Sequence, residues 1–360
     1  MFTAADHEFM GQALQLAARG LWTTTPNPRV GCIVVKDGAV VASGWHEKTG
    51  LPHAEALALE AAGDRARGAT IYLNLEPCSH HGRTPPCVDA IVAAGVKRVV
   101  AAIGDPNPKV AGGGFAKLRA AGIAVEQGLK EDEARELNIG FLARMTRGRP
   151  WVRMKVAASL DGRTALANGR SQWITGETAR ADGHRWRARA CAVLTGFGTV
   201  RDDDPQLNVR GVDTPRQPLK IVVDSKFETS PSARLLKEGK TLVVGAVNDV
   251  KRIATLKAAG AEVAVIPNDS GKVELFRLME ELARRELNEI HVEAGTKLNG
   301  SLLQAGVVDE LLVYLAPNLI GDSGRGMFHL PELTELSQAT ALKVREVERV
   351  GEDLRILARL

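Results

Sequence analysis

The sequence predicts an α/β protein built as two successive domains. Strand-like runs rich in Val and Ile alternate with Ala- and Leu-rich segments of helical spacing along the chain. The length of 360 residues exceeds a single-domain prior of roughly 150. Gly148-Arg149-Pro150 interrupts the alternation, so domains are expected at 1–147 and 148–360.

Within the first domain, Phe9, Ala13, Leu16 and Ala17 fall at helical spacing over residues 6–20, and Gly20 supplies a stop. Val30–Val35 and Val40–Trp45 read as strands joined through Lys36-Asp37-Gly38-Ala39, where Asp-Gly is a strong hairpin signal. His53–Ala62, rich in Ala, Leu and Glu, reads as a helix. Thr70–Leu75 is a strand, Val88–Ala94 a helix, Val96–Ile103 a strand, Phe115–Ala121 a helix and Ile123–Val125 a strand. Glu131–Arg144 follows as a charged linking helix. The second domain offers strands at Trp151–Ala158, Ala192–Thr195, Lys220–Asp224, Thr241–Ala246, Glu262–Ile266, Glu289–Glu293 and Glu310–Leu315, with helices between several of them. No internal repeat or low-complexity segment interrupts this order.

Composition narrows the class. Hydrophobic content of 44% and charged content of 25% are ordinary for a globular protein. No run of about 20 apolar residues could span a bilayer, and the opening residues 1–8 are too polar for a secretory signal. Four cysteines do not make a disulfide scaffold in so long a chain. A cytoplasmic protein without membrane association is expected. Residues 1–149 carry 17 basic and 15 acidic side chains, and residues 150–360 carry 30 and 28. Neither half has the basic footprint of a nucleic-acid binder.

The chemistry-bearing pattern is His53-Ala54-Glu55, then Pro77-Cys78, then Cys87. One imidazole and two thiols suit a catalytic zinc, which takes three protein ligands and keeps a position for water. Zinc lowers the pKa of that water, and Glu55 is placed to move its proton to a departing amine. The pattern follows the H-x-E and P-C-x-x-C signature of zinc nucleobase deaminases, except that eight residues separate the cysteines instead of two. A closed structural site is the competing reading, with His46, His80 or His81 as a fourth ligand. Glu55 argues against it, since a structural zinc has no use for that carboxylate. Cys32 and Cys191 read as core thiols.

In the second half no G-x-G-x-x-G follows a strand, so a Rossmann fingerprint is absent. Thr195-Gly196-Phe197-Gly198-Thr199 has Arg201 where the third glycine would fall, and Gly112-Gly113-Gly114 reads as a loop. Val292 to Leu302 is a strand running through a glycine turn into a helix, which suits phosphate but is equally an ordinary strand–turn–helix.

Pro26-Asn27-Pro28-Arg29-Val30-Gly31-Cys32, His53-Ala54-Glu55, Asp105-Pro106-Asn107-Pro108 and above all Glu76 to Cys87 resemble the deaminase domain of bifunctional riboflavin-biosynthesis enzymes. The long loop between the cysteines separates that family from tRNA and cytidine deaminases. The resemblance implies a cytidine-deaminase-like three-layer α/β/α domain with His53, Cys78 and Cys87 on zinc and Glu55 as acid and base. Its substrate would be a small phosphoribosylated pyrimidine, 2,5-diamino-6-(5-phosphoribosylamino)pyrimidin-4(3H)-one. Asn27 would read a ring edge, while His80, His81 and Arg83 would offer donors to the ribose phosphate.

Lys155 to Thr164, Ser171 to Thr175, Thr199 to Pro205, Val223-Asp224-Ser225 and Glu293-Ala294-Gly295 resemble the reductase domain of the same family, whose fold is similar to dihydrofolate reductase. That implies NADPH-dependent reduction of the ribosyl side chain to ribityl. Ala157, Trp173, Thr199, Asp203, Ser225 and Gly295, Thr296, Lys297, Leu298, Asn299, Gly300 and Ser301 would line NADPH. Ser171, Arg187, Leu207, Arg210 and Glu293 would hold substrate, with Arg187 and Arg210 suited to phosphate. Lys155 would polarise or protonate the reacting sugar. For Trp173 and Leu207 core packing is the competing reading, and for Asp203 and Asp204 a loop cap. A homo-oligomer, dimer or tetramer, is expected. The competing assignment is a nucleic-acid base deaminase with an unrelated second domain; balanced charge and 4% aromatics stand against it. A non-catalytic zinc scaffold is the third reading.

Overall fold

The computed structural model describes residues 1–80, 85–108 and 110–360. It divides into two compact units, Met1–Gly148 and Arg149–Leu360.

The first unit runs α1 (Ala4–Ala18), β1 (Gly31–Lys36), β2 (Ala39–Trp45), α2 (Ala54–Ala62), β3 (Thr70–Leu73), α3 (Cys87–Ala93), β4 (Arg98–Ala101), α4 (Gly113–Ala120), β5 (Ala124–Gln127), α5 (Glu131–Leu137) and α6 (Ile139–Arg147). The sheet order is β2-β1-β3-β4-β5, with β1 antiparallel to its neighbours and β3, β4 and β5 mutually parallel. Side chains alternate across the pleat. Cys32, Val34, Ile71, Leu73 and Val99 pack with Ala54, Ala58, Val88 and Leu118 from α2, α3 and α4. Ile33, Val35, Tyr72 and Val100 pack with Met10, Ala13, Ala134 and Phe141 on the other face. The result is three layers, α/β/α.

Local signals position the helices. Thr3 and Asp6 form a capping box at the start of α1. Asp6 Oδ1 also accepts from Tyr72 Oη and Arg98 Nη1, each at 2.7 Å, which ties α1 to β3 and β4. A Cβ on Gly44 would lie 2.5 Å from the Ala54 carbonyl, so only glycine lets α2 lie directly on β2. The single linking helix expected over 131–144 is two helices. Asn138 breaks it because its side chain bonds Arg29, accepting from the backbone N at 2.8 Å and donating to the carbonyl at 2.9 Å.

The second unit runs β6 (Trp151–Ser159), β7 (Arg163–Ala165), α7 (Glu177–Arg189), β8 (Ala192–Gly196), α8 (Phe197–Asp203), β9 (Leu219–Val223), β10 (Thr241–Gly245), α9 (Val250–Ala258), β11 (Glu262–Val265), α10 (Leu275–Arg284), β12 (Glu289–Val292), α11 (Thr296–Gln304), β13 (Glu310–Ala316), β14 (Arg325–Gly326), β15 (Lys343–Val350) and β16 (Asp353–Arg359). Nine strands form one sheet in the order β11-β10-β9-β8-β12-β6-β13-β16-β15. From β11 to β13 every pairing is parallel, and β16 and β15 close it antiparallel. A parallel sheet buried on both faces needs continuous apolar strands. Ala192, Val193 and Leu194 in β8 and Leu242, Val243 and Val244 in β10 supply them, each fully buried. Ligands bind such sheets outside the carboxyl ends of the strands.

Candidate active sites

In the first unit three neighbouring elements deliver the chemistry. His53 caps α2 in extended conformation, Cys78 follows β3, and Cys87 opens α3. Their donor atoms all lie within 4.8 Å of one another. His53 Nδ1 stands 3.2 Å from Cys87 Sγ and 3.6 Å from Cys78 Sγ. The Cys87 backbone N–H donates to Cys78 Sγ at 3.3 Å.

The loop carrying Cys78 is held by its neighbour Glu76, a buried carboxylate. It accepts from the backbone N–H groups of Asp105, Gly112, Gly114 and Phe115 at 2.9–3.1 Å. Four donors on one buried carboxylate satisfy it fully and fix the Asp105-Pro106-Asn107-Pro108 segment beside the cysteines. Sequence reasoning placed Glu76 in a motif but gave it no role.

Electrostatics favour a cation here. The Cys87 thiol pulls Cys78 down to about 4, against burial, with His53 adding to the effect, while Cys87 is pushed up in turn. The pair therefore shares one proton, which a bound cation displaces. One imidazole and two thiols fit zinc, whose catalytic sites keep a fourth position open. Glu55, in the first turn of α2, is 3% exposed, and burial raises its carboxyl above the usual range, opposed by His53. A carboxyl shifted toward neutrality both takes and returns a proton.

His46 is not arranged as a fourth ligand. Its Nδ1 donates to the Pro52 carbonyl at 3.1 Å, so its Nε2 accepts from Asn27 Nδ2, also at 3.1 Å. Asn27 is thereby oriented by His46, whose ring packs edge-on to that of His53 with centroids 5.3 Å apart. His80 is half-buried, and its enclosed Nδ1 has no hydrogen-bond partner among the described residues. Arg83 and His81 lie outside the described residues. Cys32 and Cys191 are buried core thiols, as expected.

The second unit gathers its candidates at the carboxyl ends of β6, β8, β9 and β12. Parallel register pairs Val292 with Met154, which sets Glu293 beside Lys155. Arg187, reaching from α7, grips the Glu293 carboxylate with Nε and with Nη2 (2.8 Å), and donates Nη1 to the Asn208 carbonyl at 2.9 Å. His291 Nε2 approaches Glu293 Oε1 at 3.3 Å from a fully buried position below it. Burial pushes Glu293 up, but Arg187, His291 and Lys155 outweigh it and hold the carboxylate well below its ordinary range. Burial lowers the Lys155 ammonium, Glu293 opposing and Arg187 adding. Its Nζ stands 5.9 Å from the Tyr314 ring centre.

Around this ionic core, Ala157 is half-buried on β6 and Ser225 lies just past β9. Thr199 and Asp203 belong to α8. The loop-cap reading belongs to Asp204, which takes a left-handed conformation and accepts from Arg234 N at 2.8 Å. Gly295 caps α11 in extended conformation and offers no side-chain cap. Among the described residues no side chain bonds the N–H groups of Thr296, Lys297 and Leu298, as a helix start suited to phosphate requires. Asn299 and Gly300 are buried instead, against residues 327–329, and Ser301 bonds the Lys297 carbonyl at 3.0 Å. Trp173 is 69% exposed with Arg180 stacked 4.7 Å from its ring centre, so core packing does not explain it. Leu207 is buried, which its packing alternative anticipated. Ser171 lies in the loop before α7, half-buried. Sequence reasoning missed His184, whose partner Arg210 comes from a separate segment, and His291, which pairs with Glu293 only two residues on.

Fold and geometry together define a class: a zinc-dependent nucleobase-type deaminase unit followed by a reductase unit. Residues 3–103 match the cytidine and deoxycytidylate deaminase zinc-binding region, and residues 150–356 match the RibD C-terminal domain. The riboflavin biosynthesis protein RibD of Escherichia coli K12 is 48% identical, covering 97% of this chain and 98% of the relative. Its namesake in Aquifex aeolicus is 42% identical over 98% of both. Among solved structures, Acinetobacter baumannii RibD superposes with a TM-score of 0.92 at 43% identity, covering 99% of this chain and 98% of the other. The chain belongs to the RibD family: it is a bifunctional deaminase and reductase of riboflavin biosynthesis that uses zinc and NADPH.

Proposed function

We propose that the first unit, Met1–Gly148, hydrolyses the 2-amino group of 2,5-diamino-6-(5-phosphoribosylamino)pyrimidin-4(3H)-one. The second, Arg149–Leu360, reduces the ribosyl side chain of the resulting 5-amino-6-(5-phosphoribosylamino)uracil to ribityl. The observation that carries the first step is the three-donor cluster of His53, Cys78 and Cys87 with the buried carboxyl of Glu55 beside it. Zinc held by those residues supplies an activated water at neutral pH. Asn27, oriented by His46, offers its Oδ1 to a ring N–H, while His80 and Arg83 serve the phosphate end. Glu55 takes a proton from water and returns it to the amino group as the C–N bond breaks, so ammonia leaves neutral.

For the reduction, NADPH supplies a hydride. Lys155 gives a proton to the ribose ring oxygen as the bond from C1′ to that oxygen opens, which leaves C1′ as the hydride acceptor. Glu293, kept ionised by Arg187, faces Lys155 and orients the sugar, with Ser171, Leu207 and Arg210 completing the substrate side. Ala157, Trp173, Thr199, Asp203, Ser225 and residues 295–301 form the nucleotide side; Thr296 to Leu298 contribute backbone donors, and Asn299 to Ser301 hold that turn in place. The protein works in the cytoplasm as a homo-oligomer, binds neither nucleic acid nor membrane, and no described helix is long and apolar enough to cross a bilayer.

Metal analysis tests the first assignment. Cys78→Ser is expected to lose most of its zinc, and Glu55→Gln to keep it while ammonia release falls by about 100-fold or more. Full zinc content in Cys78→Ser would remove Cys78 from the ligand set.

A further inference from the structure

We propose that His184 is a substrate-binding residue of the reductase, donating its Nε2–H to the substrate phosphate alongside Arg210. The proposal rests on the assignment of Arg187, Arg210 and Glu293 to the substrate site, and adds a residue that the motifs do not contain. His184 and Arg187 are three residues apart on α7 and therefore share a face of that helix. From this face Arg187 reaches Glu293 and the Asn208 carbonyl. The segment just beyond Asn208 returns to the same face, where the Arg210 backbone N–H donates to His184 Nδ1 at 3.2 Å.

That bond fixes the tautomer. A ring nitrogen that accepts carries no hydrogen, so the neutral imidazole keeps its hydrogen on Nε2. Burial and the charges of Arg187 and Arg210 lower His184 to about 4, with Glu293 opposing and Lys155 adding. The ring is thus a neutral donor in a cluster that already holds three cations.

The phosphate needs such a donor. Arg187 has Nε, Nη1 and Nη2 each engaged by Glu293 or Asn208, so its fork organises Glu293. Arg210 is exposed, and its Nη1 rests on the side chains of Gln206 and Asn208 at 3.3 and 2.6 Å. One guanidinium does not satisfy three phosphate oxygens. His184, tethered to the backbone of Arg210 itself, supplies a second directed donor at that end.

The test measures reductase kinetics of the full chain with 5-amino-6-(5-phosphoribosylamino)uracil and with its dephosphorylated counterpart. In His184→Leu, KM for the phosphorylated substrate is expected to rise about ten- to a hundredfold, the worth of a hydrogen bond to a charged group. KM for the dephosphorylated compound should change far less. His184→Gln, whose amide both accepts from Arg210 N and donates, should recover most of the loss. If His184→Leu does not fold, His184→Ala takes its place. Equal losses on both substrates, or a wild-type KM ratio, would overturn the proposal. Arg210→Ala, measured in parallel, separates the two levels: a collapsed ratio there with none in His184→Leu refutes His184 alone. An unchanged ratio in both refutes the substrate-site assignment as well.

Discussion

Glu55 and Glu293 are both enclosed carboxyls, yet the fold drives them in opposite directions. Burial raises Glu55, with only His53 as a strong opposing charge, whereas the Arg187 fork keeps Glu293 ionised. The first suits proton transfer and the second electrostatic orientation. Removing the fork separates these roles: Arg187→Leu should leave Glu293 without its ion-pair partner and lower reductase kcat/KM by about 100-fold or more. Ammonia release, which the other unit performs, is the internal control, and a loss of both activities would argue for misfolding instead. His184 makes a pH prediction. Its folded pKa is about 4, below the unfolded value of about 6.5, so the native state binds fewer protons between these limits. Its contribution to stability is therefore present above about pH 6.5 and is lost as pH falls toward about 4. Denaturation midpoints at pH 7 and pH 4.5 should converge more for His184→Gln than for the wild type; an identical pH dependence would contradict the low pKa. At this scale the sequence was legible where chemistry is local. His53, Glu55, Cys78 and Cys87 sit in short patterns whose residue types state their purpose. His184 was not, because its meaning depends on Arg210, 26 residues further along the chain; His291, two residues before Glu293, lies outside every motif that carries the resemblance.

Most elements were legible where a run of apolar residues marks a buried strand. The β1–β2 hairpin was read from Asp37-Gly38, and both residues take the positive φ that a tight turn requires. The linking helix was misread at Asn138, since nothing in the local sequence shows that its amide serves Arg29. Asn138→Ala removes both bonds and should cost the first unit about 1–3 kcal/mol, seen as a lower unfolding midpoint; wild-type stability would show that the break has another cause. The closing hairpin, β15 and β16, was not expected at all. In β15 Val344, Val347 and Val350 recur every third residue, which mimics a helix, and the strand is largely exposed, so it lacks a core-facing alternation. The α11 turn carries a glycine with a structural reason. A Cβ on Gly300 would stand 1.9 Å from the His329 carbonyl oxygen. Gly300→Ala is therefore expected to destabilise the second unit by about 1–3 kcal/mol through overpacking, and an unchanged melting temperature would contradict that contact.

At the scale of the molecule, two α/β units of different sheet topology each place polar groups at strand ends above a dry core. The mixed sheet of the first brings a zinc-type donor set next to a buried acid. The parallel sheet of the second gathers its candidate groups at the carboxyl ends of the strands, where such sheets bind ligands. The α/β class of both units was readable from the alternation of strands and helices, whereas the particular domain classes came from the motif resemblance. The strand order came from neither, since β8, β12, β6 and β13 lie side by side out of chain order. What stayed hidden was the antiparallel closure by β16 and β15, where the edge strand β15 is largely exposed. The central claim is that one chain carries two chemistries at separate sites, the first of which needs Glu55. The direct measurement follows ammonia release and NADPH oxidation by full-length Glu55→Gln and wild-type protein, supplied with either the diamino substrate or its deaminated product. The wild type should release ammonia with or without NADPH and oxidise NADPH with either compound. Glu55→Gln should release no ammonia and oxidise NADPH only when given the deaminated product. Ammonia release by that variant, or its failure to reduce the deaminated product, would contradict the account.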